Sequence, residues 1–231
     1  MSVCAVLTDI EGTTTPIAFV HSVLFPYARE ALPQFLRDHA GDPEVKAQIN
    51  EIAHMTPGRD PLSVLLGWMD IDAKITPLKS LQGMIWRTGY ERGELVSTIY
   101  EDVAPSLRAW HASGLKLAIY SSGSIEAQKL LFGHTAFGDL TPLFSGFFDT
   151  TSGLKRERAS YARIAEAWEL APEGVLFLSD IGAELDAARE AGMRTAQLLR
   201  PQDNTVASPG HPGFVDFNAV GEHFSLPCLA S

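Results

Sequence analysis

The sequence predicts an α/β fold: a doubly wound parallel-sheet core with an inserted α-helical cap domain. Three observations carry this. Short, near-continuous apolar runs alternate with helical stretches, the pattern of a parallel sheet covered on both faces. That rhythm stops after Pro16 and resumes only near residue 104. Polar residues able to do chemistry gather just past the apolar runs, where open α/β sheets bind ligands.

The first run, Val3–Thr8, predicts a buried strand, with Cys4 as a small core residue in it. From Pro16 to Val103 no convincing strand appears. His21–Leu36, Pro43–His54, Pro61–Met69 and Leu78–Arg92 are helical candidates, separated by Gly41-Asp42-Pro43, Pro57-Gly58 and Thr76-Pro77. Proline at a first helical position with Asp or Thr just before it is a start signal. The simplest organisation is an α/β core of residues 1–15 and 104–231, with a helical cap of residues 16–103 inserted after the first strand. Further on, helices at Pro105–Ala112, Ser124–Leu131, Arg156–Glu169 and Ala183–Ala191 alternate with strands at Leu115–Tyr120, Val175–Leu178 and Thr195–Leu199. Tyr161, Ile164, Ala165 and Trp168 form an i, i+3, i+4, i+7 apolar stripe. Gly192 reads as a helix stop. The tail beyond Arg200, rich in Pro and Gly, reads as loop.

The chain has 231 residues, 45% hydrophobic and 20% charged, enough for one large domain or a core with a smaller insertion. Eighteen basic residues against 28 acidic ones give a net charge of −10. That field repels nucleic acid and anionic membrane, so neither is an expected partner. It would also repel a phosphorylated substrate unless a metal and a local lysine reverse the sign within the site. The first strand leaves no room for a signal peptide, and no apolar run reaches the length of a membrane span. Cys4 and Cys228 offer at most one disulfide, and neither has metal-ligand spacing. A cytoplasmic monomer is the expectation. Cys228-Leu229-Ala230-Ser231 has the form of a prenylation box but lacks an upstream basic cluster, so it reads as an accidental match.

Four motifs could carry chemistry. In Val6-Leu7-Thr8-Asp9-Ile10-Glu11-Gly12-Thr13-Thr14, an apolar run enters two carboxylates spaced i, i+2. An alternating strand would put both on one side, but Gly12 suggests the chain is already leaving the sheet. Such a pair can hold a divalent cation and divide the roles of nucleophile and acid/base. Tyr120-Ser121-Ser122-Gly123-Ser124 ends a second strand in hydroxyls before a helix N-terminus, a phosphate cradle. Lys155 stands in a polar loop, where it could neutralise a phosphoryl group; by itself it reads as a solvated surface lysine. In Leu178-Ser179-Asp180-Ile181-Gly182-Ala183-Glu184, Asp180 could join Asp9 as a hard oxygen ligand. Glu184, one turn on, could reach a metal-bound water or simply be a first-turn acid favoured by the helix dipole.

Each motif alone has an ordinary structural explanation as turn, cap or surface residue. Together, in the order Asp-x-acid, Ser, Lys, Asp at strand ends, they resemble the signature of the haloacid dehalogenase-like superfamily. Glu11 departs from the usual second Asp but keeps a carboxyl, which favours phosphoryl transfer over dehalogenation. The chain further resembles, nearly end to end, the enolase-phosphatase family of methionine salvage, the acireductone synthases. The stretches that carry this are Asp9–Ile17, Leu81-Gln82-Gly83-Met84-Ile85-Trp86 with Gly89-Tyr90, Tyr120–His134 and Phe147–Thr150. In that family Glu at the second acid position is normal.

The resemblance implies conversion of 2,3-diketo-5-methylthiopentyl 1-phosphate to an enol phosphate, then to the dihydroxy acireductone and phosphate. It implies Mg²⁺ held by Asp9, Asp180 and the backbone carbonyl of Glu11, acting also as Lewis acid for the enolate. Asp9 would be the nucleophile and Glu11 the acid/base, with Ser121, Ser122 and Lys155 binding the phosphoryl oxygens. Phe19, Trp86 and Tyr90 could shelter the methylthio group, although helical aromatics are more often core. His21 and His134 read as structural. The rival reading is a superfamily phosphatase for another small phosphate ester, since these motifs read the phosphate rather than the leaving group.

Overall fold

The computed structural model describes residues 2–227. The prenylation-like Cys228–Ser231 lies outside them. The chain divides into two compact units, Met1–Ile17 with Ser97–Ser231, and Ala18–Val96.

The first unit is built on six strands: β1 (Ala5–Thr8), β2 (Lys116–Tyr120), β3 (Gly146–Phe148), β4 (Val175–Ser179), β5 (Arg194–Leu198) and β6 (Gly213–Phe214). Their order is β3-β2-β1-β4-β5-β6, and every neighbouring pair is parallel. The winding therefore reverses between β1 and β4, the switch point where open sheets leave a crevice at their carboxyl ends. β1, between two neighbours, is buried along its whole length. One face of the sheet packs Val6, Ile119, Leu176 and Leu198 against Trp110, Phe132 and Phe217. The other packs Leu7, Tyr120 and Phe177 against Tyr161, Ile164, Ala165 and Trp168, the stripe expected from the sequence.

The helices of this unit are α1 (Val103–Ala112), α2 (Ile125–Gly133), α3 (Arg158–Ala167), α4 (Gly182–Glu190) and α5 (Phe217–Phe224). Ser124 caps α2, its side chain accepting from Ala127 N–H at 3.2 Å. Gly192, at φ +96°, stops the chain after α4 as expected.

The second unit is helical: Phe25–Asp38, Pro43–Met55, Pro61–Asp70 and Thr76–Glu91, the first preceded by a π turn at Val20–Leu24. Its core is Leu32, Ile52, Leu65, Leu78, Leu81 and Ile85. Asp42 and Asp60 cap the helices opened by Pro43 and Pro61, accepting from Glu44 N–H at 2.7 Å and Ser63 N–H at 2.9 Å. Thr76 makes no cap; it is the first residue of its helix, with Ile75 before it.

Three further expectations are corrected. The division falls at Val96/Ser97 rather than 103/104. Ser97 N–H donates to His134 C=O at 2.8 Å and Tyr100 N–H to Thr14 C=O at 3.0 Å, which ties 97–103 to the sheet unit. Cys4 is exposed, before the start of β1, with its thiol 3.4 Å from Gly174 C=O. The tail is not all loop: it contains β6 and α5, the latter capped by Asp216 on Ala219 N–H at 2.7 Å. β3 went unread as well. Among the described residues no helix is long and apolar enough to cross a membrane.

Candidate active site

A cavity of about 380 Å³ opens at the carboxyl ends of the central strands, lined by Asp9, Glu11, Ser121, Ser122, Lys155 and Asp180 together with Glu184. All six residues singled out by the sequence meet there. The volume falls in the range of small-ligand sites, roughly 300–1,000 Å³.

Asp9 leaves β1 with its N–H on Leu178 C=O at 2.9 Å. Its buried carboxylate is fixed through Oδ1, which accepts Ile10 N–H at 2.7 Å and pairs with Lys155 Nζ at 2.6 Å. Glu11 is exposed at the cavity edge, because the chain has turned out of the sheet. Gly12 N–H closes that turn on Thr15 C=O at 2.8 Å.

Lys155 is not a surface lysine: its side chain is 10% exposed and bridges Asp9 Oδ1 and Glu184 Oε2, each at 2.6 Å. Its loop is held by three hydroxyls. Tyr161 donates to Lys155 C=O at 2.7 Å, Ser160 to Leu154 C=O at 2.8 Å, and Tyr120 to Gly153 C=O at 2.9 Å. Burial alone would lower the ammonium's pKa, but the charges of Asp9 and Glu184 outweigh it and the net shift is upward. Lys155 therefore stays charged.

Ser121 is buried, and its Oγ accepts Gly123 N–H at 3.1 Å. Buried Gln128 donates to Gly123 C=O at 2.8 Å and Phe148 C=O at 2.9 Å, pinning the serine loop to the end of β3. Ser122 is exposed beside it.

Asp180 is buried, and its Oδ1 has no hydrogen-bond partner among the described residues. Burial, then the charges of Asp9 and Glu184, push its pKa up to about 7. Glu184 is also raised to about 7, by burial and then by Asp9, against the pull of Lys155. Ser179 Oγ donates to Glu184 Oε2 at 2.9 Å. Three inward carboxylates thus share one ammonium, and one carboxylate oxygen is orphaned. A hard divalent cation answers both conditions. Among the described residues no three His, Cys, Asp or Glu side chains form a ready metal cluster; two carboxylates and the Glu11 carbonyl would contribute only two such side chains.

The sequence leaves one contributor ambiguous and gives no sign of two others. Glu184 was ambiguous because its burial depends on Lys155 arriving from another loop. Gln128 and Arg200 carried no signal, being single polar residues whose partners are mostly backbone carbonyls that the fold brings to them. Trp86 is half-buried against the helical core, its Nε1–H on Leu24 C=O at 2.8 Å and its ring stacked on Phe25. His134 Nδ1 lies 3.0 Å from Leu130 C=O, a structural contact.

Residues 4–192 match the family of haloacid dehalogenase-like hydrolases. Enolase-phosphatase E1 of Gluconacetobacter diazotrophicus is 54% identical over 226 residues, covering 98% of this chain and 96% of its own. The chain belongs to the enolase-phosphatase E1 family. Enolase-phosphatase E1 of Pseudomonas aeruginosa is 53% identical over 221 residues, covering 94% of this chain and 98% of its own. The UTR4 protein of Saccharomyces cerevisiae superposes with a TM-score of 0.79 at 33% identity, over 93% of this chain and 98% of that one. CbbY from Rhodobacter sphaeroides, solved in complex with phosphate, shares the fold with a TM-score of 0.63 at 16% identity, over 95% of this chain and 96% of that one. As an enolase-phosphatase of the haloacid dehalogenase-like hydrolases, the chain is an enzyme.

Proposed function

We propose that this enolase-phosphatase converts 2,3-diketo-5-methylthiopentyl 1-phosphate to 1,2-dihydroxy-3-keto-5-methylthiopentene and phosphate in methionine salvage, in the cytoplasm and with Mg²⁺. The observation that carries the chemistry is Asp9 fixed beside a charged, buried Lys155 in the cavity that also holds Glu11, Ser121 and Asp180.

In this reading Asp9 attacks phosphorus and becomes an aspartyl phosphate. With Oδ1 held by Ile10 N–H and Lys155, Oδ2 is the oxygen left to attack. Glu11, on the exposed edge, protonates the departing enol oxygen and then takes a proton from the water that hydrolyses the phospho-enzyme. Lys155, Ser121 and Ser122 hold the phosphoryl oxygens as charge redistributes on them. Asp9, Asp180 and the Glu11 carbonyl would hold the cation, which supplies Lewis-acid charge to the phosphoryl group and to the diketone. The helical unit Ala18–Val96 is the cap that selects the leaving group.

Incubating the protein with the diketone phosphate and Mg²⁺, while following enol absorbance and released phosphate, tests this. An enol signal that precedes or accompanies phosphate is expected. Phosphate release from sugar phosphates with none from the diketone would favour the rival small-ester phosphatase.

A further inference from the structure

Behind the cavity, buried Arg200 is tied to the loop that follows the nucleophile. The guanidinium is 3% exposed. Its Nε and Nη2 both donate to the carbonyl of Thr13, at 3.1 and 2.8 Å. Its Nη1 and Nη2 make a two-pronged pair with Asp102, at 2.9 and 3.0 Å, and Nη1 also reaches Val215 C=O at 3.2 Å. All five N–H donors of the guanidinium are thereby used, a fork that lysine cannot reproduce. The group lies 4.0 Å from the centroid of the Tyr100 ring, and Asp102 is fixed in turn by Phe217 N–H at 2.8 Å.

What Arg200 holds is the turn against Asp180. Thr13 Oγ1 accepts the Asp180 N–H at 3.0 Å. Gly12 approaches so closely that a Cβ there would come within 2.5 Å of Asp180 Oδ2. The neighbouring bonds reinforce the same segment: Tyr100 N–H donates to Thr14 C=O at 3.0 Å, the Tyr100 hydroxyl donates to Asp203, and the Asp203 carboxylate accepts Ile17 N–H at 3.3 Å. Gln197 Nε2 fixes the Asp180 carbonyl from the other side at 2.8 Å. None of these groups lines the cavity except Ile17 and Asp180.

We infer that Arg200, clamped by Asp102, is a positioning residue that sets the spacing of the two cation-binding carboxylates by holding the Gly12–Thr13 turn against Asp180. This rests on the proposed cation site. Loosening the turn releases Asp180 on one side and the Glu11 carbonyl on the other, so the cost falls on cation affinity before it falls on chemistry. Outer partners of metal ligands are typically worth about 10–100-fold in affinity.

The test is calorimetric titration of Mg²⁺ alone into metal-free wild type, Asp102→Asn and Arg200→Lys, beside thermal melts and the Mg²⁺ dependence of aryl phosphate turnover. Asp102→Asn keeps the size of the side chain and removes half of the clamp. Both variants are expected to bind Mg²⁺ about 10–100-fold more weakly, with turnover largely recovered at saturating Mg²⁺. Should Arg200→Lys not fold, Thr13→Ala carries the same test, because it frees the Asp180 N–H and leaves the Arg200–Asp102 pair intact. Lower melting temperatures with wild-type Mg²⁺ affinity would make Arg200 purely structural and overturn the inference. Absence of Mg²⁺ binding by the wild type would overturn the cation site and the inference together.

Discussion

Lys155 Nζ lies 2.6 Å from Glu184 Oε2, although one residue stands in a loop and the other on helix α4, and neither needs the other in a local reading of the sequence. The contact turns an apparent surface lysine into the buried cation of a carboxylate cluster. It also explains why Glu184 is buried in the first turn of α4.

Lys155→Met is expected to lose turnover by about 10²–10³-fold, the scale of removing one group that stabilises transition-state charge. Stability should fall too, because Asp9 and Glu184 lose their partner. Breaking a buried pair costs about 3–5 kcal/mol, and the low end applies beside an open cavity. The deficit should be larger at pH 8 than at pH 5, where Glu184, already raised to about 7, can take up a proton. Melts of the variant and wild type at both pH values check this. An equal deficit at both would mean the pair is screened.

Asp180 is held up from its ordinary 3.8 to about 7, so the folded, cation-free protein keeps a proton there that the unfolded chain has already lost. Stability must then fall as pH rises between those values, because the folded state binds more protons. Glu184, raised to about 7, acts in the same direction. Mg²⁺ needs the ionised carboxylate, so its affinity should climb through about pH 7 and then level. Titrations of the metal-free protein from pH 6 to 8 measure the climb. Asp180→Asn should flatten the pH dependence of the melt, and an unchanged slope would assign it to other groups.

Gly12→Ala tests how tightly the first loop is packed. Gly12 has φ +69°, and the added Cβ would meet Asp180 Oδ2 at 2.5 Å. The expected result is a loss of more than about 1 kcal/mol of stability, through backbone strain and displacement of the carboxylate. Mg²⁺ binding should weaken in parallel. A variant with wild-type melting and Mg²⁺ affinity would show that the loop can yield.

Much of this architecture was legible because buried parallel strands announce themselves. β1, β2, β4 and β5 are four- or five-residue strands, all but the first residues of β2 and β5 buried, and they were found within two residues. β3 and β6 are three and two residues long at the sheet edges, too short for any pattern to accumulate. α5 was masked by the Pro and Gly residues before it, although Asp216 offered a cap. Asp9, Ser121 and Asp180 were legible by their places just past the strand ends, and Lys155 only by its place in the order of the four motifs. The Lys155–Glu184 pair and the Arg200 clamp were not, because both join residues far apart in the chain.

The central claim is that Asp9 carries the phosphoryl group and Glu11 serves it as acid and base. Rapid-quench trapping of labelled phosphate tests this most directly, in wild type, Asp9→Asn and Glu11→Gln. Asp9→Asn cannot form the aspartyl phosphate. Glu11→Gln keeps the backbone carbonyl but lacks the base for the attacking water, so hydrolysis should slow by about 10²–10⁴-fold. Because the enol is a stabilised leaving group, phospho-enzyme breakdown should slow more than its formation. Label should therefore accumulate on Glu11→Gln, be transient on wild type and be missing from Asp9→Asn. Wild-type turnover with no label on wild type or Glu11→Gln would contradict a covalent mechanism at Asp9.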